Sequence, residues 1–234
     1  MRRGKLIGLG VGPGDPELLT VKAARVLADV QVIAYIAAAG RASRARDIAG
    51  RYIRAGAREL IAVMPMSQDA AVTDRAYGQL VTGIVSELAE GHDVVFLCEG
   101  DPLLYGSFAH LLRRVASRFE CEVIPGITSV SAAAAAALVP LGTYDEPIAL
   151  LPATMEPARL AQLLQASDRA VVMKVGRHLA RVKEALAAAG MLEDAVLVEN
   201  VTLPAQRILP LVDAIEPQAP YFSLIIAGRK PSPV

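Results

Sequence analysis

Short, nearly continuous apolar runs alternate along this chain with segments of helical periodicity. In the first half, the apolar runs fall at residues 5–10, 30–36, 93–98 and 121–124. The helical patterns fall at residues 18–30, 43–53, 72–89, 105–116 and 129–138. Strands that are apolar throughout are buried on both faces, and their alternation with helices predicts a largely parallel sheet between helical layers.

The second half repeats this pattern on a smaller scale. Its strands are predicted at residues 148–151, 170–173, 196–199 and 223–227, and its helices at 158–165 and 179–189. Residues 140–147 (PLGTYDEP) concentrate Pro, Gly and Asp, as connections between domains do. We therefore predict two α/β domains, 1–139 and 140–234. Open α/β sheets bind ligands beyond the carboxyl ends of their strands, so we expect a ligand cleft between the two.

The charge balance argues against nucleic acid and membrane surfaces as partners. Lys and Arg together number 24, as do Asp and Glu, so no overall field draws the chain to a polyanion. The apolar run at residues 132–139 is well short of the roughly 20 residues that span a bilayer. Arg2 and Arg3 precede a segment broken by glycines, which is unlike a secretory signal, and we predict a cytoplasmic protein.

The two cysteines do not indicate a metal site. Cys98 and Cys121 lack CxxC spacing and have no neighbouring His in the sequence. Cysteine is among the residue types most often buried, so we predict two ordinary unpaired thiols and no metal.

The tripeptide Gly-Asp-Pro occurs twice, each time after a predicted buried strand, in GDPELL at 14–19 and GDPLL at 100–104. Asp is a preferred helix N-cap and Pro is favoured next to it, so Asp15 and Asp101 are each predicted to cap a helix. A capping carboxylate occupies the N–H groups that a phosphate would need, and no Lys or Arg lies between residues 94 and 106. This turn favours a ligand that is cationic or rich in hydroxyl and amino donors.

Three segments resemble the successive motifs of the tetrapyrrole methylases of corrin and sirohaem synthesis. They are LGVGPGDPELLTVKA (9–23), VVFLCEGDPLLYGSF (94–108) and VIPGITSVSAAAA (123–135). One position departs from the family pattern, Val11, where a small residue is usual. Within the family, AYIAAAGRASRARDIA (34–49), VVMKVGRHLARV (171–182) and PYFSLIIAGR (220–229) are most similar to the precorrin-2 C-20 methyltransferases.

The resemblance implies the class III methyltransferase fold, a homodimer, and S-adenosylmethionine as methyl donor with S-adenosylhomocysteine as product. The implied reaction is C-20 methylation of precorrin-2 to precorrin-3A in cobalamin biosynthesis. The sequence leaves open whether the substrate is metal-free or contains cobalt, and whether another corrin ring carbon is methylated.

Carried over position by position, the resemblance also implies the cofactor contacts. They are Pro13, Glu99, Gly100, Asp101, Leu104, Thr128, Ser129, Val175, Val201 and Ala227. The hydroxyl of Thr128 has a second interpretation, as the cap of the helix that follows it. Val175 and Val201 would act through backbone amides and apolar walls.

A tetrapyrrole that carries eight carboxylates requires local cations. Arginine binds carboxylates with its planar fork, and six arginines lie within residues 41–58. Those that follow predicted strands are our candidates for the substrate carboxylates: Arg41, Arg44, Arg46 and Arg177. For Arg51, Arg54 and Arg58 we prefer a solvated helix face on which arginines pair with nearby acids.

Methyl transfer by in-line displacement needs proximity and alignment more than an activated nucleophile. If a base takes part, our first candidate is Asp101, followed by Tyr105 and Asp15. One rival function is a nicotinamide-dependent oxidoreductase, although the glycines at positions 8–14 lack the G-x-G-x-x-G spacing. The other is a non-catalytic module that binds tetrapyrrole or RNA, although 4% aromatic content and no Trp leave few stacking platforms.

Overall fold

The chain forms two compact units in a computed structural model that describes residues 2–64 and 70–229. The units are residues 1–128 and 129–234, so the boundary lies before the predicted residue 140. The reason is helix α5 (Ser129–Ala137), which packs on strands of the second unit. The Pro- and Gly-rich segment at 140–147 is therefore a loop inside the second unit.

The first unit is a five-stranded parallel sheet with helices on both faces. Its elements in chain order are β1 (Leu6–Gly10), α1 (Val21–Asp29), β2 (Val32–Ala38), α2 (Arg44–Ala49), β3 (Arg58–Met64), α3 (Ala70–Ala89), β4 (Val94–Cys98), α4 (Phe108–Val115) and β5 (Cys121–Ile124). The strand order is β3-β2-β4-β1-β5, and every neighbouring pair is parallel. The predicted parallel sheet is confirmed.

Alternate residues of the central strands feed two separate cores. Leu6 faces the core that contains α3 and α4, whereas Ile7 and Leu9 face the core that contains α1 and α2. All five residues of β1 and of β4 are buried. This is why both strands are apolar without interruption.

The loops that follow β1 and β4 leave the sheet over opposite faces. The chain after β1 enters α1, which packs on one face through Ala23 and Leu27. The chain after β4 enters α4, which packs on the other face through Phe108 and Leu111. Two neighbouring parallel strands with diverging connections leave a crevice at their carboxyl ends, where open α/β sheets bind ligands.

The second unit is a mixed sheet. Its further elements are β6 (Ile148–Pro152), α6 (Pro157–Gln165), β7 (Arg169–Met173), α7 (Leu179–Ala188), β8 (Val196–Glu199), β9 (Arg207–Pro210) and β10 (Ser223–Gly228). The strand order is β6-β7-β10-β8-β9, and β10 runs antiparallel to both of its neighbours. Helices α6 and α7 cover one face, and α5 contacts β8 and β10.

Two further structural predictions can be compared directly. Cys98 is buried, Cys121 is half-buried, and both are free thiols, as predicted. Among the described residues, no helix combines the length and apolar character needed to cross a bilayer.

Candidate functional site

The ends of β1 and β4 are joined through glycines. The backbone N–H of Gly100 donates to the carbonyl oxygen of Gly12 at 2.8 Å, and the N–H of Gly12 donates back to the Gly100 oxygen at 3.4 Å. Both residues have a positive φ, +81° at Gly12 and +65° at Gly100. That region of backbone space is open to glycine and strained for other residues, so the turn after each strand requires its glycine.

Gly10 and Gly126 allow the loop after β5 to reach the same place. A Cβ built on Gly126 would lie 2.1 Å from the carbonyl oxygen of Gly100, and one on Gly10 would lie 2.5 Å from that oxygen. Three loops therefore meet backbone to backbone above the end of β1. We refer to Gly10, Gly12, Gly100 and Gly126 as the glycine junction.

Asp101 contacts backbone on two of these loops. Its Oδ1 accepts the N–H of Leu103 at 2.9 Å, and its Oδ2 accepts the N–H of Gly126 at 3.2 Å. No helix follows directly, because α4 begins only at Phe108, with Ser107 as its N-cap residue. The prediction that Asp101 caps a helix is wrong, since residues 102–105 form bends instead.

Asp15 does cap a helix. Its Oδ1 accepts the N–H of Glu17 at 2.8 Å at the start of the short 3₁₀ helix Pro16–Leu18. Helix α1 then begins at Val21 behind its own N-cap, Thr20. The prediction for the first Gly-Asp-Pro turn is confirmed.

Glu99 and Arg44 bring opposite charges to the edge of the first unit. Glu99 follows β4 directly and its side chain is reached by solvent. The surrounding protein nevertheless raises its pKa by desolvation, and the charge of Arg44 partly opposes that rise. Arg44 is the first residue of α2, the helix that follows β2.

Apolar side chains are exposed beside the glycine junction. Leu103 and Tyr105 in the loop after β4, and Ile127 in the loop after β5, are each more than a third exposed. Tyr105 also has a φ of +54°, a left-handed conformation that costs a non-glycine residue about 1–3 kcal/mol. Leu104 is half-buried between Leu103 and Tyr105. Together these residues give the edge of the first unit an apolar surface.

Two predicted cofactor contacts flank this region in the chain. Pro13 follows Gly12 and is half-buried. Thr128 is the last residue of the first unit and directly precedes α5, whose first residue is Ser129. The position of Thr128 suits its second interpretation as an N-cap, and its contact with cofactor stays a prediction.

The predicted substrate arginines separate into two groups. Arg41 and Arg177 are exposed. Arg46 instead binds Glu59 with Nε and Nη2 at 3.2 and 3.0 Å from Oε1, while the Tyr35 hydroxyl donates to Oε2 at 2.5 Å. The guanidinium of Arg46 is thus paired with Glu59 on β3. The sequence analysis did not predict this strand, and so it did not foresee the pair.

The preferred interpretation of the remaining arginines holds only in part. Arg51 lies in the short 3₁₀ helix Gly50–Tyr52, 4.0 Å from Glu17. Arg58 pairs with Glu87 at 2.5 Å, but it is the first residue of β3 and does not lie on a helix. Glu87 also approaches Glu90 and His92 closely enough to suggest a cation site. The Arg58 guanidinium lies 3.2 Å from Nδ1 of His92, so a cationic group already occupies that cluster.

In the second unit, Val175 and Val201 lie just beyond the carboxyl ends of β7 and β8. Both side chains are buried, at 0% and 7% exposure. Each follows a residue in the left-handed conformation, Lys174 with φ of +57° and Asn200 with φ of +48°. Strained backbone of this kind clusters at ligand sites, so the two loops remain sound candidates.

Ala227 lies at the other edge of that sheet. It pairs with Ala170 near the beginning of β7, whereas the end of β7, Met173, pairs with Leu224. The family resemblance implies a cofactor contact at Ala227. Because β10 runs antiparallel to β7 and β8, its first residue, Ser223, lies at the edge where those strands end, and Ala227 lies away from Val175 and Val201. The contact of Ala227 with cofactor stays a prediction.

Other titratable groups near the strands are poor nucleophiles or bases. Burial raises the pKa of the Cys98 thiol to about 12. Burial and the hydrogen bond to Glu59 raise the pKa of Tyr35 to about 12. In the second unit, desolvation and the charges of Arg181 and Arg177 lower the pKa of His178.

Comparison with known proteins decides the family. A model of the tetrapyrrole (corrin/porphyrin) methylases matches residues 5–214 of the chain. The chain belongs to the tetrapyrrole methylase family.

Individual relatives narrow this assignment. The chain is 42% identical over 239 residues to a precorrin-2 C(20)-methyltransferase from Sinorhizobium, covering 98% of both proteins. It is 36% identical to a cobalt-precorrin-2 C(20)-methyltransferase from Salmonella typhimurium, covering 97% of both. It is 44% identical to the cobalamin biosynthesis protein CobIJ from Mycobacterium tuberculosis. That match covers 97% of this chain but only 47% of the length of CobIJ.

Solved structures share the fold. A cobalt precorrin-4 methyltransferase, CbiF, superposes with a TM-score of 0.74 at 27% identity, over 96% of this chain and 94% of that one. A uroporphyrin-III C-methyltransferase from Thermus thermophilus, complexed with S-adenosylhomocysteine, has a TM-score of 0.67 at 23% identity, over 96% and 97% of the two chains. The two α/β units are thus those of the tetrapyrrole methylases.

Proposed function

We propose that this protein methylates C-20 of precorrin-2 with S-adenosylmethionine, giving precorrin-3A in cobalamin biosynthesis. The observation that carries the proposal is the 42% identity to the Sinorhizobium enzyme over 98% of both chains. The cobalt-containing substrate is the alternative, favoured by the relative from Salmonella typhimurium at 36% identity. Family membership supports methyl transfer over the oxidoreductase and the non-catalytic module.

The glycine junction fits a cofactor of this kind. At Gly10 and Gly126 the missing side chain makes room for protein backbone, since a Cβ at either position would meet the carbonyl oxygen of Gly100, and this close packing supports the turn that carries Glu99. Glu99 offers a carboxylate to an ammonium, a sulfonium or a hydroxyl group. No Lys or Arg lies between residues 94 and 106, so the turn lacks the cation that a phosphate would require.

S-adenosylmethionine would supply an activated methyl group on a sulfonium. The residues of the first unit proposed to hold it are Pro13, Glu99, Gly100, Leu104 and Thr128. The exposed apolar surface of Leu103, Tyr105 and Ile127 is proposed to exclude water from the reacting atoms.

For the carboxylates of the tetrapyrrole we propose Arg41, Arg44 and Arg177. Arg46 is proposed to hold α2 on β3 through Glu59 and not to bind substrate, because Glu59 engages two of its nitrogens at 3.2 and 3.0 Å. In this arrangement, the chain's residues bind and orient, and no activated serine or cysteine takes part.

Labelled methyl transfer tests the function. The purified protein is incubated with methyl-¹³C S-adenosylmethionine and precorrin-2, with and without cobalt, and the label is located by NMR. We expect label at C-20 of the metal-free macrocycle. Label in the cobalt-containing macrocycle alone selects the alternative, and label at any other carbon refutes the C-20 assignment.

We also propose a homodimer, as the resemblance to the family implies, and a cytoplasmic location, as predicted from the residues of the chain. One chain has a mass of 24.7 kDa. Light scattering on the full chain should therefore give twice this value, and a mass equal to one chain across the micromolar range would refute the dimer.

A further inference from the structure

We propose that Asp101 is a positioning residue that fixes the loop after β5 against the loop after β4, and that it does not act as a base. It shapes the glycine junction in which the cofactor is bound. The proposal deepens the proposed function, and it rests on that function for the identity of the cofactor.

The strand order makes such a tie necessary. Strands β4 and β5 are not neighbours, because β1 lies between them. Neighbouring strands are about 4.8 Å apart, so β4 and β5 are separated by roughly twice that distance. The backbone hydrogen bonds of β4 and β5 to β1 fix the distances between these strands. They do not fix how far the loop after each strand bends over the end of β1.

The hydrogen bond from Gly126 to Asp101 spans this gap. Its 3.2 Å length joins residues 25 positions apart, on loops of two strands that do not pair. It holds Gly126 where its Cα is 2.6 Å from the position of a Gly10 Cβ. The contact is possible because Gly10 is the last residue of β1 and has no side chain.

Both oxygens of Asp101 are directed at protein. Oδ1 accepts from Leu103 at 2.9 Å, which shapes its own loop, and Oδ2 accepts from Gly126. A general base must direct an oxygen at the proton that it removes. The carboxylate of Asp101 directs its two oxygens at backbone N–H groups on the two loops that it joins.

The test compares Asp101→Asn with a matched control at the opposite end of β4. Asn keeps one acceptor oxygen and replaces the other by an NH₂ group, so one backbone N–H faces a donor. Asp93 is the control, because its Oδ1 accepts the N–H of Lys5 at 2.8 Å and joins the opposite ends of β4 and β1. Asp93→Asn removes a similar hydrogen bond from the same sheet, at the amino ends of β1 and β4.

Three measurements on the full chain decide the matter: amide hydrogen exchange at Gly126, the Kd of S-adenosylhomocysteine by calorimetry, and the pH dependence of kcat. In Asp101→Asn we expect exchange at Gly126 to be about tenfold faster and the Kd to be about tenfold higher, as loss of one hydrogen bond predicts. The shape of the kcat profile should be unchanged. In Asp93→Asn the Kd should stay within about twofold of the wild-type value.

Several outcomes would overturn the proposal. Unchanged exchange at Gly126 in Asp101→Asn would show that the carboxylate does not fix the loop. Unchanged Kd with loss of turnover and of the acidic limb of the kcat profile would identify a base. An equal rise of Kd in Asp93→Asn would indicate general loosening of the sheet. If the wild-type protein does not bind S-adenosylhomocysteine, the proposed function fails, while exchange at Gly126 still tests the tie.

Discussion

At Gly126 a methyl group has no room. A Cβ there would lie 2.1 Å from the carbonyl oxygen of Gly100 and 2.8 Å from the Cα of Gly10, and backbone atoms cannot rotate away as side chains do. We expect Gly126→Ala to lower the free energy of unfolding by about 2–3 kcal/mol, as overpacking does. Separation of the three loops should also weaken S-adenosylhomocysteine binding by about tenfold or more. Urea denaturation and calorimetry measure the two effects.

Gly78 is the matched control for this substitution. It lies within α3, and no atom comes within 4 Å of the position of its Cβ. Gly78→Ala should raise the free energy of unfolding by about 0.5–1 kcal/mol, because alanine loses less backbone entropy in a helix. Its Kd should match that of the wild-type protein. Full binding in Gly126→Ala, or lost binding in Gly78→Ala, would contradict the role given to the junction.

Asp15 and Asp101 show how far sequence reasoning reaches at the residue scale. Both stand in Gly-Asp-Pro, and both accept the N–H of the residue two positions on, at 2.8 and 2.9 Å. Local chemistry predicts that bond. The second bond of Asp101 depends on Gly126, which only the order of the strands brings near. Gly10 and Gly126 were missed as site residues for the same reason.

At the scale of elements, every strand inside the two sheets was predicted, and of the four edge strands β5 and β6 were predicted whereas β3 and β9 were missed. The central strands β1 and β4 are predictable because burial on both faces leaves an apolar run. Strand β3 at the sheet edge begins with two charged residues and is mostly exposed, as is β9 at the edge of the second sheet. The direction of β10 leaves no mark in composition, so the position of Ala227 at the end of the sheet away from Val175 and Val201 could not be predicted from the sequence.

Glu122 joins three elements through charge. On β5, it contacts Lys5 next to β1 at 2.7 Å and Lys22 on α1 at 2.6 Å. The hydrogen bonds to Lys22 and Lys5 lower the pKa of Glu122 from 4.5 to about 2. Because the folded-state pKa is the lower one, the stabilisation is complete above pH 4.5 and is lost as the pH falls towards 2.

We therefore expect Glu122→Gln to lower the free energy of unfolding at pH 7 by about 1–2 kcal/mol, allowing for solvent screening. The difference from wild type should shrink between pH 4.5 and pH 2.5 in thermal melts. Glu120→Gln is the control, since Glu120 is 3.8 Å from Lys5 and 76% exposed. A deficit that persists unchanged at pH 2.5 would rule out the charge of Glu122 as its cause.

Helix α2 and the turn before it carry arginines with different tasks. Arg46→Gln removes the ion pair with Glu59, so it should cost about 1 kcal/mol of stability and leave the KM for the tetrapyrrole within about twofold. Arg41→Gln should leave stability unchanged and raise that KM by about three- to tenfold, through loss of a charge-assisted contact. A larger rise of KM in Arg46→Gln than in Arg41→Gln would restore Arg46 as a substrate ligand.

At the scale of the whole molecule, a chain with no net charge would have to recognise the proposed anionic substrate through local charges. The 24 basic and 24 acidic residues cancel, so attraction has to come from a few arginines, which the sequence concentrates in residues 41–58. The structure engages Arg46, Arg51 and Arg58 with acids. Fewer arginines than the sequence suggested are therefore left to attract the carboxylates of the proposed substrate. Arg41, which is exposed, is one of them.

This division of charge predicts different salt dependence for the two ligands. Raising ionic strength from 0.1 to 1 M shortens the Debye length from about 10 Å to about 3 Å. Because exposed arginines face eight carboxylates, the KM for the tetrapyrrole should rise about fivefold or more. The Kd of S-adenosylhomocysteine should change less than about twofold, since this zwitterionic ligand carries no net charge at pH 7. Arg41→Gln should flatten the salt dependence of the KM, and an equal rise for both ligands would show that the arginines do not provide the attraction.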